Sequence, residues 1–370
     1  MSQITRYFAG GNTANGFVSF FPFVLPPQDR KRMFFIKGGP GVGKSSFMKV
    51  IGSEMEQAGY DVEYFYCSGD PECLDAVAVP KLGVGIMDAT APHSYDPELP
   101  GARDTLISLG DFLDEKAMSP FVSEIERINA HISMSYRNCY HYLKSAAELK
   151  MVAEEVENRG IIKGELLQSE MPMITVRETI LIQRYTRKLL EEYIFRDDAI
   201  QQADEPYIGT NRNLFCTAYT HMGLVSYLDA LPRERTALIL EHNERKIDMI
   251  LRELRIQIMN SGRNTVSLYH PLRSTLLSHL YVPEDQLLFT GDMELKDSAE
   301  LRNSYHASDI IQEHTLQDQN FDELISYAVT QLKSAKKAHD ELESYYVKNM
   351  NFTGVSEKLN EVLTKIRREQ

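Results

Sequence analysis

Met33-Phe34-Phe35-Ile36-Lys37-Gly38-Gly39-Pro40-Gly41-Val42-Gly43-Lys44-Ser45-Ser46-Phe47-Met48 is the stretch on which the reading of this chain turns. Gly38 to Ser45 satisfies G-x-x-x-x-G-K-[ST] at every fixed position. Met33 to Ile36 is a short apolar run that reads as a buried strand, and Ser46 to Ile51 opens a helical pattern. In that setting a glycine loop has a mechanism. Its main-chain N–H groups curl around a phosphate, and the helix that follows offers its positive end. Gly38, Gly39, Pro40, Gly41, Val42, Gly43, Lys44, Ser45 and Ser46 are therefore the candidate cradle for a triphosphate. Lys44 is placed to reach the β- and γ-phosphates, and the Ser45 hydroxyl to hold Mg²⁺.

Further along, Gly83-Val84-Gly85-Ile86-Met87-Asp88 is an apolar run that ends in a carboxylate. An Asp at the end of a strand neighbouring the glycine loop holds Mg²⁺ in such sites, which makes Asp88 the second metal candidate. Ala89 and Thr90 follow it, so the carboxylate that would activate water is not in the position next to Asp88. ATP and Mg²⁺ are the expected ligands.

Composition narrows the alternatives. The chain has 370 residues, enough for two domains, with a charged fraction of 25% that is ordinary for a globular protein. A net charge of −13 argues against nucleic acid as the partner. No basic segment leads into an apolar one, and no apolar run reaches the roughly eighteen residues of a membrane span. Phe17 to Leu25 is too short and is broken by Pro22. Cys67, Cys73, Cys139 and Cys216 show no zinc spacing and read as thiols in a reducing cytoplasm.

The chain also repeats itself. Phe8/Phe215, Thr13/Thr220, Gly16/Gly223, Val18/Val225 and Ser19/Ser226 match 207 residues apart. Gly59/Gly262, Tyr66/Tyr269 and Val79-Pro80/Val282-Pro283 match 203 apart, and Leu143-Lys144-Ser145-Ala146 returns as Leu332-Lys333-Ser334-Ala335. The order is unchanged, which points to duplication. Where the second copy should carry the glycine loop it reads Glu241-His242-Asn243-Glu244-Arg245-Lys246-Ile247-Asp248, with no glycine and three carboxylates that repel phosphate.

The expected architecture is α/β, a three-layer α/β/α sheet of the P-loop NTPase type duplicated in tandem, with long helical segments. Residues 1–205 form the first domain, with a helical insertion at about 103–203, and residues 206–370 the degenerate repeat. Strands are expected near 7–9, 33–37, 62–67 and up to Asp88, then at 236–240, 265–269 and 286–290. Helices are expected at 44–58, 72–78, 176–202, 244–260, 271–280, 319–349 and 354–368, with a helical hairpin over 124–157. The domain boundary is placed at Ala203-Asp204-Glu205-Pro206, and Met171-Pro172 is read as a helix break.

Four blocks carry a family resemblance: Arg6 to Phe17, the GGPGVGKSS loop, Cys67 to Asp75, and Asp88 to His93. Together they resemble uncharacterised bacterial tandem-domain P-loop ATPases of Firmicutes type, sometimes labelled nucleotide kinases. The resemblance spans essentially the whole chain and implies the fold and nucleotide binding. Members of that family tend to carry a phosphate loop in both halves, and this chain departs from them in the second.

Loops after strand ends surround the ligand in open α/β sheets, so Asp70, Asp75 and His93 are candidates to face the γ-phosphate or a second substrate. Asn12 and Thr13 are candidates for base or ribose contacts, and Arg6 and Arg103 for arginine fingers. Three functions fit these residues. One is an ATPase that couples hydrolysis to a conformational or partner-binding change through the helical segments. The second is a nucleotide or small-metabolite kinase. The third is a non-enzymatic, ATP-gated interaction module. The oligomeric state is open.

Overall fold

The computed structural model describes residues 2–91, 95–160, 176–195, 208–241, 243–292 and 316–369. Among them the chain is mixed α/β, with seven α-helices and three sheets. It divides into two compact units. Unit 1 gathers Met1–Lys144, Leu214–Leu231 and Leu324–Gln370, and unit 2 gathers Ser145–Asn213 and Pro232–Glu323. The expected boundary at 203–206 and the break at 171–172 lie outside the described residues.

The main sheet of unit 1 is built from β1 (Ile4–Phe8), β4 (Arg32–Lys37), β5 (Val62–Tyr66), β6 (Leu74–Val79), β7 (Val84–Asp88) and β8 (Asp104–Ser108), in the order β1-β5-β6-β7-β4-β8. β4 runs parallel to both its neighbours, β7 and β8. A strand covered on both faces has no polar side, which explains the continuous apolar run Met33–Ile36, buried throughout. Helix α1 (Lys44–Gln57) follows β4 and buries Phe47, Met48, Ile51 and Met55 on one stripe. Gly59 then stops it in the left-handed region, at φ +86°.

Two expected helices are strands. Residues 72–78 overlap β6, and the segment after 103 begins with β8 rather than a helix. All six residues of β6 are buried, so Leu74-Asp75-Ala76-Val77-Ala78-Val79 shows no alternation from which a strand could be read. The expected helical hairpin is a single helix, α3 (Val122–Gly160), preceded by the one-turn α2 (Glu115–Met118).

The layer beside α1 is closed from the far end of the chain. After α6 (Leu316–Val347), the last helix, α7 (Phe352–Arg367), sends Val355, Val362, Leu363 and Ile366 into the cluster that holds Phe47, Met48 and Ile51. A second sheet in unit 1 joins two hairpins, β2–β3 (Gly10–Thr13, Gly16–Ser19) and β10–β11 (Thr217–Thr220, Gly223–Ser226), through the pair Asn12↔Tyr219. In each hairpin a threonine hydroxyl donates to a glycine carbonyl three residues on, Thr13 to Gly16 at 2.9 Å and Thr220 to Gly223 at 3.0 Å.

Unit 2 holds the sheet β12-β15-β14-β13-β9, from β9 (Asn211–Leu214), β12 (Arg235–Leu238), β13 (Thr265–Tyr269), β14 (Leu277–Val282) and β15 (Leu287–Thr290). The expected helix at 271–280 is a correction of the same kind, since β14 begins at Leu277. Helix α5 (Glu244–Asn260) follows β12, and α4 (Val176–Tyr193) packs beside it with Leu189 and Leu190 in the core. The registers of three strand pairs in the main sheet of unit 1 recur in the sheet of unit 2. Arg32↔Val84, Ala76↔Met87 and Tyr66↔Leu74 recur 203 residues on as Arg235↔Leu287, His279↔Thr290 and Tyr269↔Leu277. The irregularity between Phe65 and Tyr66 recurs between Leu268 and Tyr269.

Leu363→Ala deletes a buried contact of α7 in the core of unit 1 and is expected to cost about 3 kcal/mol. Urea unfolding followed by circular dichroism measures it. A loss below about 0.5 kcal/mol would mean that α7 does not close this core.

Candidate functional site

The loop between β4 and α1 takes the shape its glycines permit. Gly41 (φ +70°) and Gly43 (φ +94°) lie in the left-handed region, and Gly43 caps α1. The Val42 side chain is buried in the core and pins the loop from below. Lys44 folds back over it. Its ammonium donates to the carbonyls of Gly38 at 2.7 Å and Gly39 at 2.9 Å, and stands 3.6 Å from the Asp88 carboxylate. Asp88 is there because β7 pairs with β4 in the register Ile36↔Asp88, which brings the strand end beside the start of the loop. Both side chains are mostly buried, at 13% and 15% exposure, so the attraction is only partly screened by water.

Thr90 braces this arrangement. Its N–H donates to Asp88 at 2.8 Å, its hydroxyl donates to the Gly38 carbonyl at 3.1 Å, and the Gly38 N–H stands 3.3 Å from the same hydroxyl. The Ser45 hydroxyl accepts the N–H of Leu74 at 3.0 Å, which ties the start of α1 to the start of β6 and leaves the hydroxyl a second lone pair. Ser46 is exposed on α1.

Other candidates have structural neighbours. Asp70 forms a turn by accepting the Glu72 N–H at 3.1 Å, accepts the Cys73 thiol at 3.3 Å, and pairs with Lys336 of α6 at 3.3 Å. Burial alone would raise its carboxyl; these hydrogen bonds and Lys336 outweigh burial and hold it below the usual carboxylate range. Asp75 is buried within β6. Burial, together with the neighbouring charge of Asp70, pushes the Cys73 thiol up to about 11, and burial next to Asp75 raises Cys67 as well, so neither is a ready thiolate. Asn12 is buried, and both of its amide hydrogens are engaged. It donates to the carbonyls of Ser68 and Tyr219 at 3.2 and 3.0 Å and accepts from the Tyr140 hydroxyl at 3.2 Å. Arg103 pairs with Glu98 and Asp104 at 2.9 and 3.0 Å, and Arg6 is exposed on β1. His93 lies outside the described residues.

The helix expected at 319–349 is present as α6 (Leu316–Val347), but the sequence did not show that it packs on the glycine loop. A Cβ built on Gly39 falls 2.7 Å from the ring of Tyr346, and one on Gly41 falls 2.9 Å from Val347 and 3.1 Å from the carbonyl of Glu343. The last turns of α6 thus lie directly on the loop. The repeat of Leu143–Ala146 at Leu332–Ala335 falls on this helix, but it says nothing of where the helix packs.

Unit 2 presents carboxylates at the corresponding edge of its own sheet. Asn243 caps α5 by accepting the N–H groups of Arg245 and Lys246 at 3.0 and 3.2 Å. Glu244, the first helical residue, is gripped by Arg273, Lys150 and His270. Arg273 also makes a two-pronged bond to Glu154, at 2.7 and 2.9 Å. Burial would raise the Glu244 carboxyl, but His270, Lys150 and Arg273 overcome it and hold the group well below the ordinary range. Where Leu74 donates to Ser45 in unit 1, the matching Leu277 donates to Asp248 at 2.8 Å, and Asp248 is clasped by Arg252. His242 lies outside the described residues.

Comparison of the chain with protein-family models, with curated proteins and with solved structures returns no match. No helix among the described residues is long and apolar enough to cross a membrane.

Arg273→Ala leaves two poorly hydrated carboxylates facing each other and is expected to destabilise unit 2 by about 3 kcal/mol. Because the folded Glu244 carboxyl is depressed, its contribution is fully present above about pH 4.5 and is lost as the pH falls. Urea midpoints measured for wild type and variant at pH 7 and at pH 3 should therefore converge on acidification.

Proposed function

We propose that unit 1 binds Mg·ATP at Gly38–Ser45 and hydrolyses it, in a chain whose second half is a duplicated P-loop unit that has lost its phosphate cradle. The observation that carries this reading is the position of Lys44. Its ammonium sits on two carbonyls of its own glycine loop, 3.6 Å from a strand-end carboxylate, at the head of a helix that starts from a left-handed glycine. Such a cation is poised to transfer to phosphate oxygens while the loop's N–H groups wrap the anion. The identical registers 203 residues apart support duplication.

The donor set fits a magnesium ion. The Ser45 hydroxyl and the Asp88 carboxylate are hard oxygen ligands of the kind Mg²⁺ prefers, and they would hold it. When bound, the ion neutralises charge on the phosphates. Lys44 then spreads the charge that develops on the γ-phosphoryl group, and Gly41 and Gly43 let main-chain N–H groups approach where a Cβ would intrude. Thr90 keeps Asp88 and Gly38 in register. In unit 2 the Glu244 carboxylate stands at the helix start, so an internal anion takes the place a phosphate would need. The long helices α3 and α6 are the surfaces through which a protein partner would read the nucleotide state. The four cysteines form no disulfide, which suits a cytoplasmic setting.

Asp88→Asn is expected to lower Mg²⁺-dependent phosphate release at least about 10-fold while the protein stays folded. Release measured without an added acceptor separates hydrolysis from phosphoryl transfer. Release that appears only with an acceptor would replace the ATPase by a kinase, and an unchanged rate in the Asn variant would remove Asp88 from the site.

A further inference from the structure

The position after Asp88 holds Ala89, and Thr90 braces the loop, so this strand end offers the hydrolysis proposed above no carboxylate next to Asp88 to orient water. Helix α6 supplies one from the other end of the chain. It is tethered at two points. Lys336 pairs with Asp70 after β5 at 3.3 Å, and Tyr346 and Val347 press on Gly39 and Gly41 after β4. Ten residues of helix span about 15 Å. In the sheet order, β5 and β4 are separated by β6 and β7, three strand spacings or about 14 Å. The length of the segment from Lys336 to Tyr346 thus matches the distance from β5 to β4 along the carboxyl edge of the sheet, the edge at which Asp88 ends β7.

We infer that Glu343, carried by this segment, is the carboxylate that orients the attacking water. Its Cβ and its carbonyl oxygen lie 3.3 and 3.1 Å from a Cβ built on Gly41, so its side chain leaves the helix on the loop side. The carboxylate is 38% exposed and stands 3.6 Å from Nδ1 of His339, one turn back. In the step, a water oxygen bonds to the γ-phosphorus as the bond from that phosphorus to the bridging oxygen breaks. The bridging oxygen leaves with its electron pair as part of ADP, and Glu343 takes the proton released by the water, giving ADP and inorganic phosphate. A residue of α6 thus completes a site whose loop lies about 300 residues earlier in the chain. The same contact ties the position of α6 to the occupancy of the loop.

This inference rests on the Mg·ATP reading, and the test separates the two. Binding of a fluorescent ATP analogue, the thermal shift with ATP, and phosphate release are measured for wild type, Glu343→Gln and Glu341→Gln, the last on the exposed side of α6 beside Arg127. Expected for Glu343→Gln is binding and thermal shift within about threefold of wild type with release reduced at least about 100-fold, and for Glu341→Gln no change in either. Release by Glu343→Gln within threefold of wild type overturns the inference. Loss of binding in Glu343→Gln also overturns it, since the residue would then be shaping the loop. Binding without release in wild type leaves the nucleotide reading standing and overturns this one, and absence of binding in wild type overturns both.

Discussion

The Lys44 ammonium must be neutralised within a largely buried niche, and the surroundings of the loop are arranged around that constraint. Two carbonyls of the loop and the Asp88 carboxylate meet it. For those three groups to converge, β4 and β7 must be parallel neighbours in one register, Gly43 must turn the chain in the left-handed region, and Thr90 must hold the end of β7 against Gly38. A buried cation so held is costly to leave unpaired.

The second unit resolves the same edge in the opposite sense. Without glycines the turn before α5 is an Asn-capped helix start, and the first helical residue is itself an acid. Arg273 occupies the position that matches Asp70, 203 residues earlier, and the sign of the charge is reversed. In unit 1 Asp70 meets a lysine of α6; in unit 2 Arg273 meets Glu154 of α3. The two sheets share a framework of registers, yet one edge carries a lysine held by carbonyls and the other a carboxylate held by cations.

The loop, β4 and α1 were legible because a motif, an apolar run and a helix stripe all agreed over a few residues. Asp88 was legible once the loop was known. β6 and β14 were misread as helices because β6 is wholly buried and β14 nearly so, and periodicity carries no information when both faces are covered. β8 was lost as a short edge segment at the start of a long helical tract. The contributions of α6 and α7 could not be read at all. Their contacts with the loop and with α1 join residues about 300 apart, and no local pattern encodes such a pairing. Asn12 shows the converse: a polar residue in a glycine-rich segment looked free to touch a ligand, but each of its three hydrogen bonds is to the protein.

We propose a single phosphate cradle, in unit 1, with its counterpart in unit 2 filled by the protein's own carboxylate. Isothermal titration of the purified chain with ATP and Mg²⁺ tests it most directly. One nucleotide per chain for wild type, and none for Lys44→Ala, is the predicted result. Two nucleotides per chain, one nucleotide retained by Lys44→Ala, or no binding at millimolar ATP would contradict it.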